Sequence, residues 1–192
     1  MRAQSTILLA ILLPLAGAAG IALAGRVSAN VRETVTLLTA GGLALTVWSL
    51  LPAVMEGGRP AVTVTELLPG VELAFRVEPL GMLFAALASS LWIVNSLYSI
   101  GYMRGNNEKH QTRFYVMFAV SLAATMGVAF AGNLITLFLF YEMLTLSTYP
   151  LVSHKGDANT VRSARVYLGI LLTTSIGLFL PAIIWTYTVA GG

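Results

Sequence analysis

The sequence predicts an all-α integral membrane protein, a bundle of about six transmembrane helices with a small extracellular β-hairpin between the second and the third. Three observations lead to this prediction. Of the 192 residues, 57% are hydrophobic and only 10% are charged, whereas about a quarter of the residues in a soluble domain are charged. Stretches of about 20 apolar residues recur, which is the length that a helix needs to cross a bilayer core. One short segment alternates apolar and polar residues, as a strand does.

Six apolar stretches are long enough to be membrane spans. The first has a small-residue end, as a signal peptide would, but its length and the spans that follow favour a first membrane helix. Only Ala131, Gly132 and Asn133 separate the fourth span from the fifth. A single helix of roughly forty residues would be too long for a bilayer, so a tight turn is predicted there. The predicted spans cover residues 5–24, 34–55, 79–103, 114–131, 133–152 and 164–189, and with the hairpin they form a single membrane domain, 1–192.

The segment 61–78 has a different pattern from the spans. Val62 and Val64 alternate with hydroxyl residues, and apolar residues again occupy every second position after a Pro69-Gly70 turn. Period-two alternation on both sides of a proline-glycine pair is typical of a β-hairpin. We therefore predict a hairpin over 61–78, outside the membrane.

Lysine and arginine are divided unequally between the two sides that six spans define. The side of the N-terminus and the hairpin holds only Arg2, Arg59 and Arg76. Because basic residues are concentrated in cytoplasmic loops, this predicts a protein of the cell (inner) membrane with its N-terminus and hairpin outside the cytoplasm. The other eight lie in the loops after the first, third and fifth spans: Arg26, Arg32, Arg104, Lys109, Arg113, Lys155, Arg162 and Arg165.

The composition excludes several classes of site. The chain has no cysteine, and its two histidines, His110 and His154, lie in predicted loops. Thiolate metal sites, iron–sulfur clusters and a buried bis-histidine haem site are thereby excluded, so no cofactor, metal or redox centre is expected. The scattered basic residues do not predict a nucleic-acid partner. Neither a nucleophile–base set nor a phosphate-binding glycine loop is present, so at most the chain is a subunit of an enzyme complex.

Glu142 is the one ionisable residue near the middle of a predicted span. An acid at that depth costs about 2.5 to 3.5 kcal/mol of insertion free energy, so such residues are rare and most often functional. The functional hypothesis is a carboxyl group that exchanges protons or responds to a moving charge. The alternative is a structural anchor, protonated or hydrogen-bonded to neighbouring helices.

Three further residues are candidates for an ion route. Thr145 and Tyr149 follow Glu142 by three and seven positions and so share its helix face. Such a polar stripe holds water in one interpretation and simply joins helices in the other. His154 follows the fifth span and is a candidate proton entry point near neutral pH, although membrane anchoring together with Lys155 also explains its position.

Two segments resemble the antiporter-like subunits of NADH:quinone oxidoreductase, Mrp cation/proton antiporters and related membrane-bound hydrogenases. Residues 133–156, NLITLFLFYEMLTLSTYPLVSHKG, resemble the family's fifth helix, in which an acid follows an aromatic-rich run and precedes hydroxyl residues and a proline. Residues 76–103, RVEPLGMLFAALASSLWIVNSLYSIGYM, resemble its third helix, and the preceding hairpin fits too. The resemblance covers essentially the whole chain as the N-terminal part of such a subunit.

The resemblance implies a membrane subunit, in a lipid bilayer, of a complex that moves protons, with Na⁺ as a further candidate ion. In the family, the glutamate that corresponds to Glu142 is thought to pair with a lysine on the seventh helix. Both lysines of this chain lie in predicted loops, so we expect other membrane subunits as partners, including a chain that supplies lysine-bearing helices. Three explanations stay open: a fragment of a longer reading frame, a split subunit, and a reduced relative that serves only as a scaffold.

Overall fold

The computed structural model describes residues 2–68 and 70–190. Within them, six helical stretches are long and apolar enough to cross a membrane, which confirms the predicted architecture. The elements, in chain order, are α1 (Arg2–Ala24), α2 (Ala29–Trp48), α3 (Leu51–Met55), β1 (Ala61–Leu68), β2 (Val71–Arg76), α4 (Pro79–Gly105), α5 (Gln111–Ala129), α6 (Leu134–Val152), α7 (Ala158–Thr174), a π-helical segment (Ser175–Phe179) and α8 (Leu180–Ala190).

Polar capping residues fix where several helices begin. Ser28 caps α2 by accepting a hydrogen bond from the backbone N–H of Val31, and Asp157 caps α7 in the same way. A cap satisfies backbone donors that the first helical turn leaves free. As a result α2 begins at Ala29 rather than at residue 34, and α7 begins at Ala158 rather than at residue 164. The earlier start of α2 moves Arg32 and Glu33 from a predicted loop into a helix.

The predicted hairpin is present between the second and third spans. Strands β1 and β2 are antiparallel, with Ala61 opposite Arg76 and Thr63 opposite Ala74. Gly70 has a φ of +79°, a left-handed conformation that glycine adopts without a steric cost. Pro69, the other residue of the predicted turn, lies outside the described residues.

Helices α1, α2, α4 and α5 form the packed part of the bundle. Helix α5 lies against α1 on one side and α6 on the other, while α2 packs on α1 and α4. Ile7, Leu43, Trp92 and Met126 are fully buried between them. Helices α6, α7 and α8 lie at the edge of this core, and most of the Ala158–Ala190 span is exposed along its length.

The sixth span is interrupted by the π-helical segment Ser175–Phe179. Within it, the backbone N–H of Leu180 donates to the carbonyl of Ser175, five residues earlier. Pro181 lacks a backbone N–H and leaves the carbonyl of Gly177 without its usual helical donor. A wider helical turn just before the proline is one way in which a helix accommodates that loss.

Candidate functional site around Glu142

Glu142 is the ninth of the 19 residues of α6, so its carboxyl group lies at the middle of a membrane span. The side chain is partly buried. Its Oε1 atom is buried and has no hydrogen-bond partner within residues 2–68 and 70–190. Nor does the carboxylate take part in any of the ion pairs of those residues, which join other side chains. The carboxyl group is thus unpaired among the described residues.

The π-helical segment packs against the turn of α6 that precedes Glu142. The ring of Phe179 lies 6.2 Å from that of Tyr141 and 6.0 Å from that of Phe138. A groove of about 460 Å³ runs beside this contact and includes Tyr141, Thr174 and Ser175 in its lining. This groove between α6 and the sixth span therefore has hydroxyl groups in an otherwise apolar lining.

Thr145 and Tyr149 lie on α6 as predicted, but they do not form a hydrogen-bonded chain with Glu142 in the described part of the protein. Thr145 is buried, and its carbonyl accepts a hydrogen bond of 2.9 Å from the hydroxyl of Thr148. The carbonyl of Tyr149 accepts from the hydroxyl of Ser153. Proton transfer along this face would need water between the hydroxyl groups.

A hydroxyl pair that the sequence does not reveal joins α5 to α6. The Oγ atoms of Ser121 and Ser147 are 2.9 Å apart, and both side chains are buried. The four-residue spacing of Ser121 and Thr125 indicates a polar face on the fourth span. Its partner on α6 could not be identified because local patterns do not specify which helices are neighbours.

His154 lies just beyond the end of α6, with its ring edge-on to Phe114 at 5.6 Å. Both ring nitrogens are buried and lack hydrogen-bond partners among the residues that the structure describes. Burial lowers the pKa of His154 below its ordinary value, and the charge of Arg113 acts in the same direction. The imidazole is therefore neutral at neutral pH and able to accept a proton. Glu142 lies ten residues before the end of α6, about 15 Å along the helix axis, so His154 is too far from it for direct proton transfer.

A charged cluster that sequence reasoning missed ties α2, α4 and α5 together at the end of the bundle opposite the hairpin. Glu33, only 6% exposed, accepts hydrogen bonds from Arg32 at 3.1 Å and from Nε of Arg104 at 3.0 Å. Arg32 also donates to Gln111 at 2.8 Å, and its guanidinium lies 5.1 Å from the ring centre of Tyr115. The predicted span boundaries leave Arg32 and Arg104 in loops, which conceals the cluster.

Across the described ranges, 2–68 and 70–190, no three His, Asp or Glu side chains come close enough together to hold a metal ion.

Comparisons with known proteins show what this chain is similar to. The family described as "NADH:quinone oxidoreductase/Mrp antiporter, TM" matches residues 131–192, which include α6 and Glu142. A protein of Rhizobium meliloti, described as part of a probable K⁺/H⁺ antiporter, is 28% identical over 116 residues, 60% of this chain and 11% of that protein. An Na⁺/H⁺ antiporter subunit of Staphylococcus aureus is 32% identical over 98 residues, which are 51% of this chain and 12% of that protein.

An NADH-quinone oxidoreductase subunit of Desulforudis audaxviator is 27% identical over 122 residues, 64% of this chain and 24% of that protein. The chain thus spans at most about a quarter of the length of these relatives.

Two solved membrane complexes contain chains of similar fold. In the membrane-bound sulfane sulfur reductase, an archaeal respiratory complex, the similar chain has a TM-score of 0.81 at 16% identity, over 96% of this chain and 37% of that one. In the Mrp complex of Dietzia sp. DQ12-45-1b, the similar chain has a TM-score of 0.70 at 26% identity. The match covers 89% of this chain and 19% of that one. The predicted resemblance is confirmed: this chain is similar to membrane subunits of NADH:quinone oxidoreductases and Mrp antiporters, and its residues 131–192 match their family.

Proposed function

We propose that this chain forms part of a membrane subunit in a multisubunit complex of the Mrp monovalent cation/proton antiporter or NADH:quinone oxidoreductase type. Glu142 acts there as a switchable buried charge on a proton route. The observation that carries the proposal is the carboxyl group at the middle of α6, with a buried oxygen that has no partner among the described residues.

A carboxyl group in the middle of a membrane is stable when it is protonated or when a cation lies beside it. An approaching cation stabilises the ionised form and releases a proton, and its withdrawal favours uptake of a proton. The movement of one charge can thereby be coupled to the transfer of one proton. A fully hydrogen-bonded structural anchor would not respond in this way.

The cation would come from a lysine-bearing helix of another membrane subunit or of a further part of the same polypeptide. The groove lined by Tyr141 and Ser175, next to the turn of α6 that precedes Glu142, is the proposed approach for it. That the relatives are subunits of antiporters and of a quinone oxidoreductase, and are several times longer than this chain, supports such partners.

Thr145, Tyr149 and His154 have supporting roles in this proposal. The two hydroxyl groups would orient water on the way to Glu142, and the neutral His154 would accept protons at the far end of α6. The surplus of basic residues at that end supports a cytoplasmic position for it and a position outside the inner membrane for the hairpin. The transported ion would be the proton, exchanged for Na⁺ or K⁺ if the complex is an antiporter.

The test is Glu142→Gln in the assembled complex, with Glu56→Gln, a change of an exposed acid, as the matched control. We expect proton movement, followed with a pH-sensitive dye in vesicles, to fall by about tenfold or more for Glu142→Gln, because Gln cannot ionise. The control should move protons normally. Full proton movement by Glu142→Gln in a normally assembled complex would contradict the proposal.

The second candidate is a structural scaffold subunit without transport activity. The interhelical links Glu33–Arg104 and Ser121–Ser147 favour it, since they join helices without contacting Glu142. A scaffold predicts that Glu142→Gln changes the amount of assembled complex or nothing at all. The same experiment therefore separates the two functions.

A further inference from the structure

The hairpin is bonded to the connection between α5 and α6 along strand β2. The backbone N–H of Arg76 donates to the carbonyl of Phe130 at 2.7 Å, and that of Gly132 donates to the carbonyl of Ala74 at 2.8 Å. Ala131 forms a β-bridge with Phe75. This connection therefore lies beside β2 as a further, very short strand.

Two side chains at the start of α6 continue this bonding. The backbone N–H of Ala74 donates to Oγ1 of Thr136 at 3.1 Å, and Nδ2 of Asn133 donates to the carbonyl of Glu72 at 2.7 Å. Thr136 is completely buried. Asn133 also caps α6, because its Oδ1 accepts from the backbone N–H of Thr136 at 2.8 Å. The residues that begin the helix are thus the residues that bind the strand.

An aromatic contact extends the attachment one turn further along α6. The rings of Phe75 and Phe140 meet edge to face at 5.4 Å, and Phe75 is buried. On its other side Phe140 lies over Gly127 of α5, where a Cβ would collide with the ring. Phe140 precedes Glu142 by two residues, so the attachment ends within one helical turn of Glu142.

Apolar packing against α5 alone would set the position of α6 loosely, because the hydrophobic effect has no direction. Hydrogen bonds are directional and weaken steeply when donor and acceptor turn away from each other. Four of them fix the hairpin to residues 130–136. Glu142 lies six residues beyond Thr136, about 9 Å along the helix axis. A rotation or slide of α6 at its first turn would therefore move the carboxyl group as well.

We propose that the hairpin sets the rotation and depth of α6 and that Thr136 and Asn133 are positioning residues for Glu142. The effect on proton movement rests on the function proposed for Glu142. The attachment of the hairpin to α6 does not depend on that function.

The chain contains no cysteine, so spin labels can be placed at chosen positions. We would label Thr65→Cys on the hairpin and Leu146→Cys on α6, both exposed residues, and measure the distance distribution between the labels in the assembled complex. Thr136→Val removes the hydroxyl acceptor with little change in shape, and Thr136→Ser restores it. The matched control is Thr125→Val, since that hydroxyl donates to the carbonyl of Ser121 in its own helix α5.

We expect Thr136→Val to broaden or shift the distance distribution and to lower proton movement about threefold or more, because the Ala74 N–H loses its partner. Thr136→Ser and Thr125→Val should resemble the parent in both measurements. A variant that is merely less stable would lower the amount of complex without changing the distribution in the complex that remains. That result would overturn the proposal.

Asn133→Asp provides a second, milder test if Thr136→Val does not assemble. An aspartate still caps α6 but cannot donate to the carbonyl of Glu72, so the distribution should broaden while the helix keeps its start. Unchanged distributions in Asn133→Asp and in any assembled Thr136→Val would overturn the proposal. If the distance distribution broadens in these variants while proton movement stays full, and Glu142→Gln abolishes transport, then Thr136 and Asn133 do not position Glu142. If Glu142→Gln itself transports normally, the proposed function fails, and the distance distributions still decide whether the hairpin positions α6.

Discussion

Glu33 and Arg104, which are 71 residues apart in the sequence, form an ion pair that ties the first turns of α2 to the last turn of α4. The two members differ in environment. The Glu33 side chain is 7% exposed, as is that of its second partner Arg32, whereas the Arg104 side chain is 46% exposed. Two buried opposite charges and one half-solvated cation therefore make up the cluster. Its stability depends on Glu33, the acid that the two arginines share.

Replacing Glu33 should be far more harmful than replacing Arg104. Glu33→Gln leaves the buried guanidinium of Arg32 without a counter-charge, a change that costs about 3 to 5 kcal/mol in other buried pairs. Arg104→Gln leaves Glu33 paired with Arg32 and removes a side chain that water already reaches, so its cost should be much smaller. Thermal unfolding of the detergent-solubilised protein would measure both. Glu56→Gln, at an exposed site, is the control, and equal losses for Glu33→Gln and Arg104→Gln would contradict this account.

Much of the fold could be predicted because the bilayer restricts it. A membrane span needs about 20 apolar residues with internal backbone bonding, and the hairpin shows its period-two pattern directly. The span predicted over residues 133–152 corresponds to α6, which covers Leu134–Val152. Asn133, which marks the predicted turn, proves to be the residue that caps this helix.

The interactions between helices could not be predicted in the same way. The pair Ala74–Thr136 joins residues 62 apart, and Ser121–Ser147 joins residues 26 apart. Local periodicity identifies a buried face but not the element that covers it. The predicted start of α2 is five residues late because Arg32 and Glu33 resemble loop residues. Only the cap at Ser28 and the partners on α4 and α5 explain why these two charges are buried in a helix.

Gly127 should be intolerant of substitution, because Phe140 of α6 occupies the space beside it. Gly127→Ala places a methyl group against that ring, and overpacking of this kind typically costs about 1 to 3 kcal/mol. Gly41→Ala is the matched control, since a Cβ there meets nothing within 4 Å and alanine favours a helix. Thermal unfolding should show a loss for Gly127→Ala and none for Gly41→Ala. Phe140→Leu added to Gly127→Ala should recover part of the loss; no recovery would argue against the steric cause.

The hydroxyl pair Ser121–Ser147 should contribute little to stability despite its burial. Each hydroxyl also has an acceptor in its own helix, the carbonyl of Met117 for Ser121 and that of Leu144 for Ser147, both at 2.9 Å. A double-mutant cycle with Ser121→Ala and Ser147→Ala should give a coupling of about 0.6 kcal/mol, the average for such pairs in membrane proteins. A coupling above about 2 kcal/mol would indicate that the pair belongs to a larger polar network.

His154 should make stability depend on pH in the acidic range. Its pKa is lowered in the folded protein, first by burial and then by Arg113, while Glu108 opposes and His110 reinforces the shift. The unfolded chain therefore takes up a proton at a higher pH than the folded chain does. The stabilisation from a neutral, buried imidazole is fully present above the unfolded-state pKa of about 6.5 and is lost as the pH falls through the folded-state pKa.

Thermal unfolding between about pH 7.5 and about pH 5 should show this loss in the parent. His154→Gln should flatten that part of the curve, whereas His110→Asn, which suits the left-handed backbone at that position, should keep most of it. If the stability of His154→Gln falls with pH as steeply as that of the parent, groups other than His154 bind the proton. That result would contradict the proposed role of His154 as a proton acceptor at the end of α6.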